Sequence, residues 1–364
     1  MQNVIGLLKM WTTDTLEWID IELTSFCNIE CKGCFRVLSK HADKILNKEY
    51  ITIDIIRERF KREMFPNMRI INFCGSVDEP TSHPQFFDII RHFVDWGVHI
   101  NIATNGSLRT TKWWTELAEI IKHSSHAVTW GIDGSDELSE VYRQGSSFKK
   151  VEQNYRAFNN AGGRSNWQFI VFEHNEHQLE EAKQKAVDEG FKNFKTIISH
   201  RTESKDNAVK AVKTIPKPTP KPEVTAPVKQ TVVETKPKPA PVIKPKPTEK
   251  VDMPKEMPYI SCKYGNQKRI FVNHMGNVIP CCHLNSKMLE YSVAHDPKDE
   301  FEELLNIHNY KDTINLKNAS IEQSIHSNVW QGIIDSWDSE NPLPRCMQVC
   351  KQMKRDTFIK ETLE

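Results

Sequence analysis

The chain has 364 residues, 49 basic against 48 acidic, and 38% hydrophobic side chains. So even a charge balance supplies no field for a nucleic acid or a membrane surface, and no run reaches the ~18–20 apolar residues that a membrane span needs. The length allows about two domains at ~100–200 residues each. The opening MQNVIGLLKMW has neither a basic n-region nor a small-residue cleavage site, so no secretory signal is expected and the expected compartment is the cytoplasm.

From residue 17 to 198, β-rich runs alternate with helical patterns. The expected strands are WIDIEL (18–23), RIINFC (69–74), HINIAT (99–104), AVTWGI (127–132), WQFIVF (167–172) and FKTII (194–198). Helical patterns fall between them near 53–64, 84–96, 112–123, 147–161 and 176–189. Ser82 before Pro84 and Asn175 before Glu176 read as helix starts. Gly97, Gly162 and Gly190 sit just past helical patterns, where a left-handed residue belongs. Strands alternating with helices imply a parallel α/β sheet with right-handed crossovers. Ligands in such folds bind beyond the carboxyl ends of the strands.

Residues 202–258 break this pattern. The stretch TIPKPTPKPEVTAPVKQTVVETKPKPAPVIKPKPTEK has no aromatic residue and no apolar period. Its prolines remove backbone donors and its lysines repel, so an extended tether is expected. After it, KRIFVNHMGNVIPCC reads as a hairpin turning near Gly276, and PRCMQVCKQMKRDTFIKETL as a cysteine-bearing loop leading into a helix. The expected organisation is residues 1–201, a linker at 202–258, and a small α+β unit at 259–364. This last unit is poor in apolar residues, so a bound metal is expected to hold it together.

Nine cysteines, an odd number at short spacings, read as metal ligands before disulfides. Cys27, Cys31 and Cys34 lie directly after the first strand in CNIECKGC. Three thiolates on one loop bind three irons of a [4Fe–4S] cube and leave the fourth iron open. Zinc is the rival, but it wants a fourth local ligand, and His41 is the nearest histidine. Cys262, Cys281, Cys346 and Cys350 make a second set, with Cys282 as a substitute for its neighbour. Four sulfurs suit either an iron–sulfur cube or a tetrahedral zinc. His83, Cys74, Trp113 and Trp114 are read as structural.

The C-x3-C-x2-C loop resembles the cluster loop of the radical S-adenosylmethionine (SAM) superfamily. That resemblance implies a partial (β/α)6 TIM-type barrel with a small C-terminal α+β iron–sulfur domain. It also implies that the open iron chelates SAM and that one electron cleaves SAM to methionine and a 5′-deoxyadenosyl radical, which takes hydrogen from substrate. Later segments match in order. CGSVDEP (74–80) resembles the family's glycine-glycine-glutamate-proline motif, which places Gly75, Glu79 and Pro80 at the SAM ammonium. ATNG (103–106) offers Thr104 and Asn105 to the SAM ribose or carboxylate. GIDGSDELSEVYRQGSSF (131–148) offers Asp133 to ribose or substrate and Arg143 to a carboxylate, a structural ion pair being the other reading of Arg143. The family usually carries an aromatic residue just before the last cysteine. Here that residue is Gly33, so Phe35 is expected to cover the adenine.

The second cysteine set resembles the one-cluster twitch domain, the shortened relative of the SPASM domain. The resemblance then implies an auxiliary [4Fe–4S] cluster, a peptide or small-molecule substrate, and an external one-electron donor such as flavodoxin or ferredoxin. Neither nucleic acid nor membrane is an expected partner. The readings from other classes are a non-catalytic iron–sulfur electron-transfer or scaffold protein and a zinc-stabilised interaction protein.

Overall fold

The computed structural model describes residues 11–352 apart from 47, 75, 123–124, 199–209, 211, 213–258, 295, 297, 340 and 341. Along the first part run β1 (Trp18–Ile21), β2 (Glu30–Cys31), β3 (Ile70–Phe73), β4 (His99–Thr104), β5 (Ala127–Gly131), β6 (Arg143–Gln144), β7 (Ser165–Val171) and β8 (Asn193–Ile198). β1, β3, β4, β5, β7 and β8 lie side by side in that order and pair in parallel. These are the six expected strands.

Helices Ile53–Arg59, Phe86–Val94, Thr111–Ile121, Phe148–Asn160 and Leu179–Asp188 provide the crossovers. Helix Phe86–Val94 buries Phe86, Ile89, Ile90 and Phe93, the i, i+3, i+4, i+7 stripe of a core-facing helix. The Thr52 and Thr110 hydroxyls cap their helices by accepting from Ile55 N and Trp113 N. Gly97, Gly162 and Gly190 are left-handed as expected. One start differs. The chain makes a 3-10 turn at Pro80–Ser82 before its helix begins at Phe86. His83 Nδ1 accepts from Gln85 N at 3.0 Å and its Nε2 meets Ile51 O at 2.9 Å, so His83 is a buried structural residue. The architecture is a partial (β/α)6 TIM-type barrel.

The C-terminal part contributes to the same sheet. β9 (Tyr259–Ile260), β10 (Arg269–Val272), β11 (Val278–Ile279) and β12 (Lys351–Gln352) complete the strands. β10 and β11 form the expected hairpin, with Gly276 at φ +89° between them. β10 also pairs in parallel with β1, Trp18 opposite Arg269 and Ile21 opposite Val272, so the sheet has eight strands. Trp11 packs edge-on against Trp330, 5.4 Å between ring centroids, and donates to Arg269 O at 3.0 Å. One hydrophobic core runs from Trp11 through the barrel to Leu343.

The expected tether at 202–258 lies outside the described residues except at Lys210 and Val212. There the Lys210 carbonyl accepts from Glu173 N at 3.0 Å, and Val212 is buried in the core. Among the described residues no helix is long and apolar enough to cross a membrane.

A chain ending at residue 201 is expected to aggregate, because it bares the backbone edge of β1 and the apolar surface under Trp11. Size-exclusion and chemical denaturation measure this; a soluble monomer with one cooperative transition would contradict it.

Candidate functional site

The carboxyl ends of β3, β4, β5, β7 and β8 open on a cavity of about 350 Å³, within the ~300–1,000 Å³ span of small-molecule sites. Cys27, Cys31 and Cys34 all line it, with Glu79, Thr104, Asn105 and Arg143. Two contacts hold the cysteine loop in place. β2 pairs antiparallel with β6, putting Cys31 opposite Arg143. Arg36, two residues past the last cysteine, donates from Nη1 to Ser25 O at 2.6 Å and to Val77 O at 2.9 Å.

Burial first, and then the Glu79 charge, push the Cys27 thiol up to about 12. A cationic metal centre reverses such a shift by binding the thiolate. Asn105 Nδ2 lies 3.7 Å from Cys27 Sγ and 3.0 Å from Asn28 Oδ1, donating toward both. Among the described residues no three His, Cys, Asp or Glu side chains are drawn around one point as metal ligands would be. The donor set nonetheless fits a three-thiolate cluster. All three cysteines line one cavity, and among the described residues no histidine or fourth cysteine lines it.

Three buried carboxylates stand behind the loop after β3. Glu79 accepts from Thr81 Oγ1 and Thr104 Oγ1, each at 2.7 Å, and from Asn105 N at 2.7 Å. Its carboxylate therefore braces the 103–106 turn, and Glu79 itself lines the cavity. Thr104 is spent in the same contact and also accepts from Gly106 N at 2.9 Å. Gly106 itself has φ +72°, and a Cβ there would meet the Trp130 ring at 2.7 Å, so only glycine fits this turn.

Asp78 is placed differently. Its Oδ2 accepts from Leu23 N at 3.1 Å, and its buried Oδ1 has no protein partner. Burial, then Glu22 and Glu79, raise the Asp78 carboxyl well above the ordinary range. Glu22 accepts from Ser76 N at 2.9 Å, Val77 N at 3.1 Å and the Ser76 hydroxyl. A charged residue ending an apolar strand just before the cysteine loop was the available signal for Glu22, and the sequence reading passed over it.

Asp133 and Arg143 pair with each other, Nε to Oδ2 at 2.8 Å, and Asp133 Oδ1 accepts from Ile170 N at 2.8 Å. Burial opposes the Arg143 charge, but Asp133 outweighs it and raises its pKa. Arg143 stacks on Gly131, where a Cβ would meet Nη2 at 2.6 Å. The structural ion pair is thus present, with Arg143 lining the cavity and Asp133 behind it.

Phe35 does not line the cavity. It packs with Val77, Ile45 and Leu289 in a separate apolar cluster, because that is the apolar surface its helix faces. Apolar lining comes instead from Ile29, Ile170, Ile197, Ile198 and Tyr142. Pro80 is buried at the start of the 3-10 turn, and Gly75 lies outside the described residues.

Cys262, Cys281, Cys346 and Cys350 converge on a second cavity, of about 20 Å³. A hydrogen bond from Cys262 lowers the Cys350 thiol to about 6, and burial lifts Cys346 to about 11. Cys282 turns away from this cavity and accepts from Tyr264 Oη at 3.1 Å.

Residues 21–186 match the family model described as the radical SAM superfamily. The radical SAM superfamily is what this segment of the chain is similar to. Over 106 residues it is 34% identical to the tungsten-containing aldehyde ferredoxin oxidoreductase cofactor-modifying protein of Pyrococcus furiosus, covering 29% of this chain and 28% of that one. Over 90 residues it is 32% identical to the S-adenosylmethionine-dependent nucleotide dehydratase of Selenomonas ruminantium, covering 25% and 30%. The aligned part thus spans less than a third of each curated relative. Streptococcus suis SuiB, solved bound to precursor peptide SuiA, shares the fold at a TM-score of 0.50 and 12% identity, over 95% of this chain and 79% of that one. In the matched segment the cysteine loop, the 76–80 loop and the 103–106 turn all meet at the first cavity.

Asp133→Asn and Arg143→Met are each expected to cost about 3–5 kcal/mol, since each leaves a buried partner uncompensated. The double variant should cost clearly less than the sum. Denaturant midpoints of the set measure this, and additive losses would show that the pair is not coupled.

Proposed function

We propose that this chain is a radical SAM enzyme that cleaves SAM at the first cavity and abstracts hydrogen from a peptide or small-molecule substrate. The observation that carries the reading is the opening of all three loop thiols on one cavity with no further Cys or His along its wall. Cys27, Cys31 and Cys34 would hold a [4Fe–4S] cluster there. When bound and reduced by an external one-electron donor, the cluster supplies the electron that splits SAM.

The chain's own residues do the rest. Asp78, with its unpartnered Oδ1, is the acceptor for the SAM ammonium, and Glu79 fixes the turn beside it. Asn105 donates toward the Cys27 sulfur, which stabilises negative charge on that ligand. Ile29, Ile170, Ile197 and Ile198 keep water from the space where a radical is made. Arg143 keeps its charge through Asp133 and presents its outer edge along the wall at Gly131, where a substrate or SAM carboxylate can meet it.

Cys262, Cys281, Cys346 and Cys350 are proposed to hold an auxiliary [4Fe–4S] cluster that accepts an electron or anchors substrate. Their convergence supports this. One observation favours a single metal ion. The cavity of about 20 Å³ is little more than the ~10–15 Å³ one water needs, so a cube requires the helix Pro344–Cys350 to move outward.

Anaerobically reconstituted protein is expected to hold about eight irons and to make 5′-deoxyadenosine under dithionite. Alanine at Cys27, Cys31 and Cys34 together should remove about four irons and abolish that product. Continued formation of 5′-deoxyadenosine by the triple variant would overturn the assignment. Replacing Cys262 and Cys350 by alanine should remove the other set; about one zinc per chain in oxygen-free protein, with only four irons, would decide for the single ion.

A further inference from the structure

The hairpin turn after β10 reaches Glu22, the residue that holds the loop behind the first cavity. His274 is 1% exposed, and its Nδ1 lies 2.6 Å from Glu22 Oε1. The other oxygen of Glu22 collects Ser76 N, the Ser76 hydroxyl and Val77 N. Asn285, in the helix Asn285–Tyr291, donates to Ser76 Oγ at 2.8 Å and accepts from Asn273 Nδ2 at 3.0 Å. Two C-terminal elements therefore grip the 76–77 loop, through a buried imidazole–carboxylate contact and through an amide. Ser76 and Val77 both line the cavity, and Asp78 follows them.

On these contacts, we infer that His274 is a positioning residue for SAM: through Glu22 it sets the 76–78 loop so that Asp78 faces the SAM ammonium. This rests on the proposed SAM site and extends it, because it makes the C-terminal hairpin part of SAM binding. The physics is that of an over-determined acceptor. Glu22 has no contact with the cavity contents, yet it is the shared acceptor that fixes two successive backbone N–H groups. A carboxylate buried at 0% exposure keeps one orientation only while each oxygen has its partners. Removing the imidazole frees Oε1, and the carboxylate can then rotate and release Ser76 and Val77. Cluster ligation by Cys27, Cys31 and Cys34 does not pass through this contact, so iron content should not follow SAM affinity.

The test uses the full-length reconstituted protein and three variants: His274→Leu, His274→Gln and Asn285→Ala. The readouts are iron per chain, the SAM dissociation constant by equilibrium dialysis, and the change in the reduced-cluster EPR signal on adding SAM. His274→Leu should keep its iron and bind SAM roughly tenfold or more weakly, the scale of one charged hydrogen bond. His274→Gln, which retains a donor for Glu22, should recover most of that affinity. Asn285→Ala should weaken SAM by about threefold, and it carries the test if His274→Leu does not fold. Wild-type SAM affinity and EPR response in His274→Leu at full iron, or in Asn285→Ala where that variant carries the test, would overturn the inference. Failure of the wild-type protein to bind SAM would instead sink the underlying site assignment.

Discussion

A buried carboxylate without partners is destabilising by several kcal/mol, and the first strand delivers two. Ile19 and Ile21 point outward under the helices, so Asp20 and Glu22 point inward, and all four are fully buried. Asp20 Oδ1 accepts from Trp18 Nε1 at 3.0 Å and Asn72 Nδ2 at 2.9 Å. Its Oδ2 takes Arg269 Nε at 2.7 Å and Tyr264 Oη at 3.1 Å. Glu22 divides itself in the same way, between the loop after β3 and His274. Two of the four partner residues on Asp20, and one of the three on Glu22, come from beyond residue 260. The parallel pairing of β10 with β1 is therefore the register that brings Arg269 and His274 to charges the barrel strand cannot satisfy alone.

That dependence explains which parts of the fold were legible in the sequence. The six barrel strands were readable because each carries its own period, as HINIAT does in full from His99 to Thr104. WIDIEL carries a period too, but a period alone does not say what its polar members will meet. Only the addition of β10 across that edge turns Asp20 and Glu22 into interior charges, and a contact spanning about 250 residues leaves no local mark. The cysteines were legible for the opposite reason: ligand spacing is local chemistry. Phe35 shows the limit of motif reading, and Glu79 shows what a motif leaves unsaid. A motif assigns a residue type to a neighbourhood, and packing then decides the direction. Phe35 turned to the apolar cluster at Val77, and Glu79 turned to the donors of the next strand's turn.

The inward face of the barrel carries a polar row from β5 to β1. Thr129 Oγ1 donates to Asn101 Oδ1 at 2.7 Å, Asn101 Nδ2 to Asn72 Oδ1 at 2.6 Å, and Asn72 Nδ2 to Asp20. A closed eight-stranded barrel fills this space with branched apolar layers. A partial barrel leaves it wider, and amides bridging neighbouring strands line it without leaving a donor unpaired. Asn101 and Asn72 each give and receive, between a Thr129 donor at one end and an Asp20 acceptor at the other. Thr129 is the member of the row that lines the first cavity.

The far end of that row accounts for the split between two adjacent cysteines. Tyr264 Oη bridges Asp20 Oδ2 and Cys282 Sγ, each at 3.1 Å, with the Arg269 guanidinium 4.3 Å from the Tyr264 ring centroid. Cys282 is held by Tyr264, while Cys281, at the start of the turn, lines the second cavity with Cys262, Cys346 and Cys350. The choice of thiol in the second set is thus made by the polar interior of the barrel, through a tyrosine two residues past Cys262. The same buried aspartate that draws β10 onto the sheet also orients the sulfurs of the second site.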